Sequence, residues 1–199
     1  MAERLLASMA DSAARQYGGE AVSELEHALQ CAELAEAAGA DEELVLAALL
    51  HDVGRYAVPQ ALVSDRLEGG RTPPSASHGH RGHHEVGADL IAPWVSARVA
   101  WCVRMHADAK RYLCATEPDY CDRLSPASRR TLVVQGAVMT AGEITAAQAH
   151  PWLSEVLALR RWDDAAKIPG TATRPLSWWA PRLQKCFAGP GRRGGPVGA

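Results

Sequence analysis

The sequence is written in the period of the α-helix. SELEHALQCAELAEAAG opens with a capping box from Ser23 to Glu26, keeps its apolar residues on one face and stops at Gly39. DEELVLAALLHDVG follows at once: Asp41 is placed to cap, Glu42 and Glu43 suit the positive end of the helix, and Gly54 stands where a left-handed C-terminal residue is wanted. Further helices are expected at HHEVGADLIAPW, at SARVAWCVRMHADAKRYL after a Ser96 cap, at SPASRRTLVVQG and at HPWLSEVLALRRWDDAAK. No alternating β pattern longer than a few residues interrupts them, so the fold expected is all-α, a single helical bundle. Residues 63–82, rich in Gly, Pro and Ser, read as a long loop.

A chain of 199 residues is long enough to bury one core without a metal or disulfides to hold it. The division expected is an N-terminal helix or extension over 1–16, one domain over 17–188, and a low-complexity tail over 189–199 whose composition predicts disorder. A formal charge of -2 gives no electrostatic reason to expect nucleic acid, which favours a small-molecule partner. Five cysteines, an odd number with no C-x-x-C pair, fit neither a disulfide framework nor a zinc ribbon and read as reduced thiols. No stretch approaches the roughly 20 apolar residues that span a bilayer, and the first helix lacks the apolar core of a signal peptide. No membrane association and a cytoplasmic location are expected.

The chemistry lies in histidines and carboxylates, good ligands for iron or manganese, and a carboxylate can bridge two ions about 3.5–4 Å apart. His27 sits near the start of one helix and His51-Asp52 at the end of the next, so an antiparallel hairpin brings the three to one end. His83 opens a helix. His106 and Lys110 share a helix face at i, i+4, as do Arg160 and Asp163 at i, i+3, while Arg161 points elsewhere. Pair by pair, solvated side chains or a surface ion pair would explain each as well.

The order His27, His51-Asp52, His83, His106, Asp163 is the H…HD…H…H…D series of HD-domain proteins with two metals. Together with YGGEAVSELEHALQCAELA, EELVLAALLHDVG, HEVGADLI, HADAKRYL, LSPASRRTLVVQG and LRRWDDAAK, it resembles the PhnZ-type HD-domain mixed-valent diiron oxygenases, which are related to TmpB and distantly to myo-inositol oxygenase. The likeness runs from about residue 17 to 168. It implies an HD-domain bundle in which His27, His51 and Asp163 hold one iron, His83 and His106 the other, and Asp52 bridges. It further implies an Fe(II)/Fe(III) pair, O2 as co-substrate, and cleavage of the C–P bond of a 1-hydroxyphosphonate. With (R)-2-amino-1-hydroxyethylphosphonate the products would be glycine and phosphate. By the same resemblance Lys110, Ser128 and Arg160 bind the phosphonate, Tyr17 covers a vacant iron position and Glu20 reads the substrate amine. The enzyme would act after a 2-oxoglutarate-dependent phosphonate hydroxylase.

Two departures stand out. Where the family usually has a substrate-touching His after HDVG, this chain has Arg55, which can bind phosphonate bidentately but cannot shuttle a proton. The loop also carries His78, His80, His83 and His84; the H-x-x-x-G-A-D frame ending at Asp89 assigns the ligand to His83, with His84 the nearest alternative. His78, His80 and His150 are read as solvated, and Trp94, Trp101, Trp152 and Trp162 as core. Three other functions compete: a hydrolytic HD phosphohydrolase, a non-catalytic HD sensor or scaffold, and the same oxygenase on hydroxymethylphosphonate or the trimethylammonio analogue. Tyr17, Glu20 and the Arg160–Asp163 segment argue against hydrolysis. The full ligand set argues against a sensor, and Glu20 favours a primary ammonium over a quaternary one.

Overall fold

The computed structural model describes residues 1–58 and 81–188, which are helical, with no strand among them and an isolated antiparallel bridge between Gln16 and Ser23. In chain order the helices are α1 (Ala2–Asp11), α2 (Glu24–Ala37), α3 (Glu42–Leu50), α4 (Val53–Tyr56), α5 (His83–Ile91), α6 (Ala97–Thr116), α7 (Tyr120–Arg123), α8 (Pro126–Val134), α9 (Ala141–Gln148), α10 (Leu153–Ala165) and α11 (Leu176–Ala188). The caps that start them are largely those expected. Ser23 and Glu26 close a reciprocal box, Asp41 accepts from the Leu44 amide at 3.0 Å, and Ser96 accepts from Val99 at 3.2 Å. Each such cap is worth about 1 kcal/mol to its helix.

Helix α3 explains the architecture. Every residue from Leu44 to Leu50 is buried, and a helix apolar all round must be surrounded. Helices α2, α6 and α10 surround it. Ala28, Ala32, Ala47 and Ala48, nearly all inaccessible, keep the α2–α3 face thin. Leu5 and Met9 of α1 and Trp179 and Leu183 of α11 close the same core, while Tyr112, Leu132 and Met139 form a smaller cluster under α7 to α9. No helix among the described residues is long and apolar enough to cross a membrane.

Several expectations need correction. Gly54 does not end a helix in the left-handed region; it lies inside α4, where a Cβ would stand 1.9 Å from the His83 carbonyl oxygen and 2.9 Å from the Gly87 nitrogen. The glycine is there so that α5 can cross at backbone distance. Cys114 and Cys121 are not separate thiols but a disulfide joining α6 to α7, with Cα atoms 5.1 Å apart, inside the range such a bond requires. Cys31, Cys102 and Cys186 are free. His150 is not simply solvated: its ring stacks on Trp101 at 3.7 Å and lies 5.2 Å from Trp152. Helices α7, α9 and α11 were not anticipated. Most of the proposed 63–82 loop, with His78 and His80, and the tail from 189 lie outside the described residues.

Candidate metal centre

Five helices and a turn deliver one buried cluster. His27 comes from the first turn of α2, His51 from the residue that ends α3, Asp52 from the turn into α4, His83 from the start of α5, His106 from the middle of α6 and Asp163 from the last turns of α10. None is more than 5 % exposed. Asp52 lies between two imidazole pairs. Its Oδ2 is 3.4 Å from His51 Nε2 and 3.7 Å from His27 Nε2, while its Oδ1 is 2.9 Å from His83 Nε2 and 3.5 Å from His106 Nε2. Asp163 Oδ1 joins the first pair at 3.3 Å from His27 Nε2.

The tautomers decide what this cluster can bind. The Nδ1 atoms of His27, His51 and His106 each lie 2.7 Å from a backbone carbonyl, of Ala166, Ala48 and Val103 respectively. A carbonyl only accepts, so each Nδ1 carries the hydrogen and, in the neutral ring, each Nε2 presents a lone pair. Two of those lone pairs converge, His27 and His51 meeting Nε2 to Nε2 at 3.0 Å, and the Nε2 of His106 lies 3.1 Å from that of His83. Neither oxygen of Asp52 has a hydrogen-bond partner among the described residues. Buried acceptors facing one another repel unless a cation stands between them. The donor set thus fits metal binding: ligand atoms of His27, His51 and Asp52, of Asp52, His83 and His106, and of His51, His106 and Asp163 each lie within 4.8 Å of one another.

Electrostatics agrees. Burial opposes charge on Asp52, yet His51 and His83 hold its carboxyl well below the usual range. Burial likewise opposes charge on Asp163, and Arg160 and Lys167 override it. Burial pushes His106 down to about 4 and also lowers His27, so both imidazoles are neutral at physiological pH. His51 is the exception: Asp52 beside it raises it despite its burial, so a cation taking up its Nε2 would displace a proton.

A pocket opens on the cluster and is lined by Tyr17, Glu20, Arg55, Lys110, Ser128 and Arg160 along with the metal-facing side chains. Lys110 donates to Thr131 Oγ1 at 2.7 Å and to the Ser128 carbonyl at 3.2 Å, and burial, with Arg160 nearby, lowers it to about 7. Arg160 is more firmly held than the sequence implied. It donates to Asp163 Oδ2 at 2.7 Å and to the Tyr120 hydroxyl at 3.2 Å, and pairs with Asp164. Tyr17 stacks on His27 at 3.8 Å and reaches Asp163 at 3.5 Å; burial and the charges of Asp163 and Asp52 raise its phenol, which stays protonated as a donor. Glu20 accepts from the Ser125 hydroxyl at 2.5 Å. Arg55 lies 3.6 Å from buried Glu24, which also faces Arg15 at 3.3 Å.

Sequence reasoning missed Lys167, whose Nζ is 3.2 Å from Ser128 Oγ and 3.6 Å from Asp163 Oδ1; its i, i+4 spacing from Asp163 was the available signal. Asp164, at i, i+4 from Arg160, carried the same kind of signal, whereas Tyr120 and Glu24 carried none. Between the two adjacent histidines, His83 faces Asp52, whereas the half-buried His84 packs its ring over Gly82.

The comparisons with known proteins follow the same residues. The HD-domain family model matches residues 25–136, which hold His27, His51, Asp52, His83 and His106. The 1-hydroxy-2-(trimethylamino)ethylphosphonate dioxygenase (glycine-betaine-forming) of Leisingera caerulea is 37% identical over 171 residues, 85% of this chain and 82% of the relative. The hydroxymethylphosphonate dioxygenase of Gimesia maris is 34% identical over 181 residues, 87% of this chain and 82% of the relative. An uncharacterized protein of Acanthamoeba polyphaga mimivirus is 34% identical over 164 residues, 82% of this chain and 71% of its own. The chain belongs to the HD-domain family and, within it, to the PhnZ-type oxygenases.

Proposed function

We propose that the chain uses O2 to cleave the C–P bond of a 1-hydroxyphosphonate, taking (R)-2-amino-1-hydroxyethylphosphonate to glycine and phosphate at a mixed-valent diiron centre. The observation that carries this is the position of Asp52, one oxygen toward each imidazole pair, behind a pocket that His83, His106 and Asp163 line together with the cations Arg55, Lys110 and Arg160. Bound as an Fe(II)/Fe(III) pair, the metals would supply O2 binding and the oxidation at C1. The protein's part is binding and geometry. Lys110, Arg160 and the Ser128 hydroxyl offer a phosphonate dianion charge-assisted hydrogen bonds in a site removed from water. Arg160, pinned by Asp163, Asp164 and Tyr120, brings its charge prepositioned. Glu20 turns a carboxylate toward the other end of the substrate, where a primary ammonium would donate to it. Tyr17, a protonated phenol over His27 and Asp163, excludes water from the first cation position until substrate enters.

The metals would be held by His27, His51, Asp52 and Asp163 on one side and Asp52, His83 and His106 on the other. A hydroxylase of the 2-oxoglutarate-dependent class, oxidising the C1–H bond of a phosphonate to the 1-hydroxy compound, would act just before. The deciding experiment is aerobic turnover of racemic 2-amino-1-hydroxyethylphosphonate by iron-loaded protein, with phosphate, glycine and O2 uptake measured together. Equal amounts of all three are expected. Phosphate released without O2, or with manganese alone, would instead support a hydrolase.

A further inference from the structure

We propose that Arg55, laid over the Tyr17 ring, determines which substituent on C1 the enzyme accepts: hydrogen or a primary ammonium arm, but not a quaternary trimethylammonium. The proposal rests on the phosphonate reading above and narrows its substrate class.

A quaternary ammonium has no N–H to give a carboxylate. Sites that recognise it do so with open aromatic faces within about 6 Å of the cation. Among the residues lining the described pocket, Tyr17 is the one Phe, Tyr or Trp. Its ring is already covered. His27 stacks on it at 3.8 Å with 15° between the planes, and the Arg55 guanidinium carbon stands over it 4.9 Å from the centroid. An imidazole and a guanidinium cannot share one face at those distances, so both faces are occupied. Residues 59–80 and 189–199 contain no Phe, Tyr or Trp, and so cannot supply the missing face.

Arg55 cannot step aside at low cost. Its Nε is 3.6 Å from Glu24 Oε1, and Glu24 is 1 % exposed; withdrawing the guanidinium would take from a buried carboxylate one of the two cations that face it among the described residues. A permanent cation entering here would also meet Arg55, Lys110 and Lys167 at close quarters. A primary ammonium meets the same charges, but it can donate directly to Glu20, which has acceptor capacity beyond its bond from Ser125. A hydrogen substituent needs neither. The Leisingera relative is named for a trimethylamino substrate, and this chain, at 37% identity, presents no open Phe, Tyr or Trp ring among the described residues that line the pocket.

Calorimetric titration of the purified full chain separates the cases, using 2-aminoethylphosphonate and 2-(trimethylammonio)ethylphosphonate. Both lack the reactive hydroxyl, so the readout is binding and not turnover. The primary amine is expected to bind at least about tenfold more tightly, and Arg55→Met, which takes the guanidinium off the Tyr17 ring and leaves Lys167 as the remaining cation over it at 5.9 Å, to narrow that ratio to about threefold or less. Arg55→Gln, which leaves a donor against Glu24, serves if Arg55→Met does not fold. Equal or tighter binding of the trimethyl compound by the unaltered protein overturns the proposal. So does an unchanged ratio in the folded variant. If neither compound binds, nor methylphosphonate, the phosphonate reading falls and this proposal with it, an outcome distinct from the loss of selectivity alone.

Discussion

Lys110 is under two opposed demands. Nearly fully buried, it is lowered to about 7, so at neutral pH the protein holds an ammonium that its surroundings disfavour, while a phosphonate needs that charge. Between the folded value and the ordinary 10.5, the unfolded chain binds a proton that the folded chain has shed, so the burial cost is full below about 7 and fades as pH rises toward 10.5. Lys110→Met should therefore stabilise the protein at pH 6, by on the order of 2 kcal/mol, and much less at pH 10, in urea unfolding at the two pH values. The same variant should raise KM for every phosphonate tested by about 10- to 100-fold, the worth of one charge-assisted hydrogen bond. A stability gain equal at both pH values would show that burial of charge is not its origin. Asp52→Asn tests the other end of the site. Because its two oxygens face different imidazole pairs, metal analysis should find both ions lost or nearly so; two retained equivalents with normal turnover would refute the bridging role. Lys110 was legible in the sequence because i, i+4 geometry is local, whereas the grip of Tyr120 on Arg160 joins positions 40 residues apart and has no local trace.

At the scale of elements, the long capped helices α2, α3 and α6 could be read directly, since a Ser or Asp cap followed by an apolar period has one good solution. The single-turn α7 could not be, nor was α9, although Thr140 and Glu143 form a capping box that the sequence does display. Gly54 shows why local signals mislead: a glycine after a helix looks the same whether it supplies a left-handed turn or makes room for another backbone. Here the second holds, and it matters to the centre because α5 carries His83 on its first residue. At Gly87, facing it, a Cβ would approach Gly54 N to 2.7 Å, so the crossing is tight from both sides. Gly54→Ala must push α5 outward. We expect a loss of about 2–4 kcal/mol in denaturant unfolding, together with selective loss of the metal proposed at His83 and His106 while the other is kept. Simultaneous loss of both, with stability unchanged, would argue that the crossing does not position His83. The Cys114–Cys121 pairing escaped the sequence for a related reason: the turn between α6 and α7 that brings the thiols together could not be placed.

At the scale of the whole molecule, the centre draws ligand-type side chains from α2, α3, α5, α6 and α10, the helices that also build the main core. Metal-free protein must hold imidazole lone pairs and a carboxylate against one another in its interior, a repulsion that loosening those helices relieves and that a pair of cations converts into attraction. Metal binding and global stability are thus linked, because unfolding separates all the ligands at once. At free metal about 100-fold above the dissociation constant, one site binding only the folded form adds about 2.7 kcal/mol. For a chain of this length that corresponds to a rise of roughly 5–10 °C in Tm. Thermal unfolding of chelator-treated protein should show this rise on readdition of ferrous iron under anaerobic conditions, and the Tm of Asp52→Asn should be nearly independent of metal. A peripheral site would behave differently, since metal held by one or two surface helices can leave before the core melts. A Tm that does not move while both metal equivalents are bound would therefore mean that the ions sit outside the cluster of Asp52 and the four imidazoles.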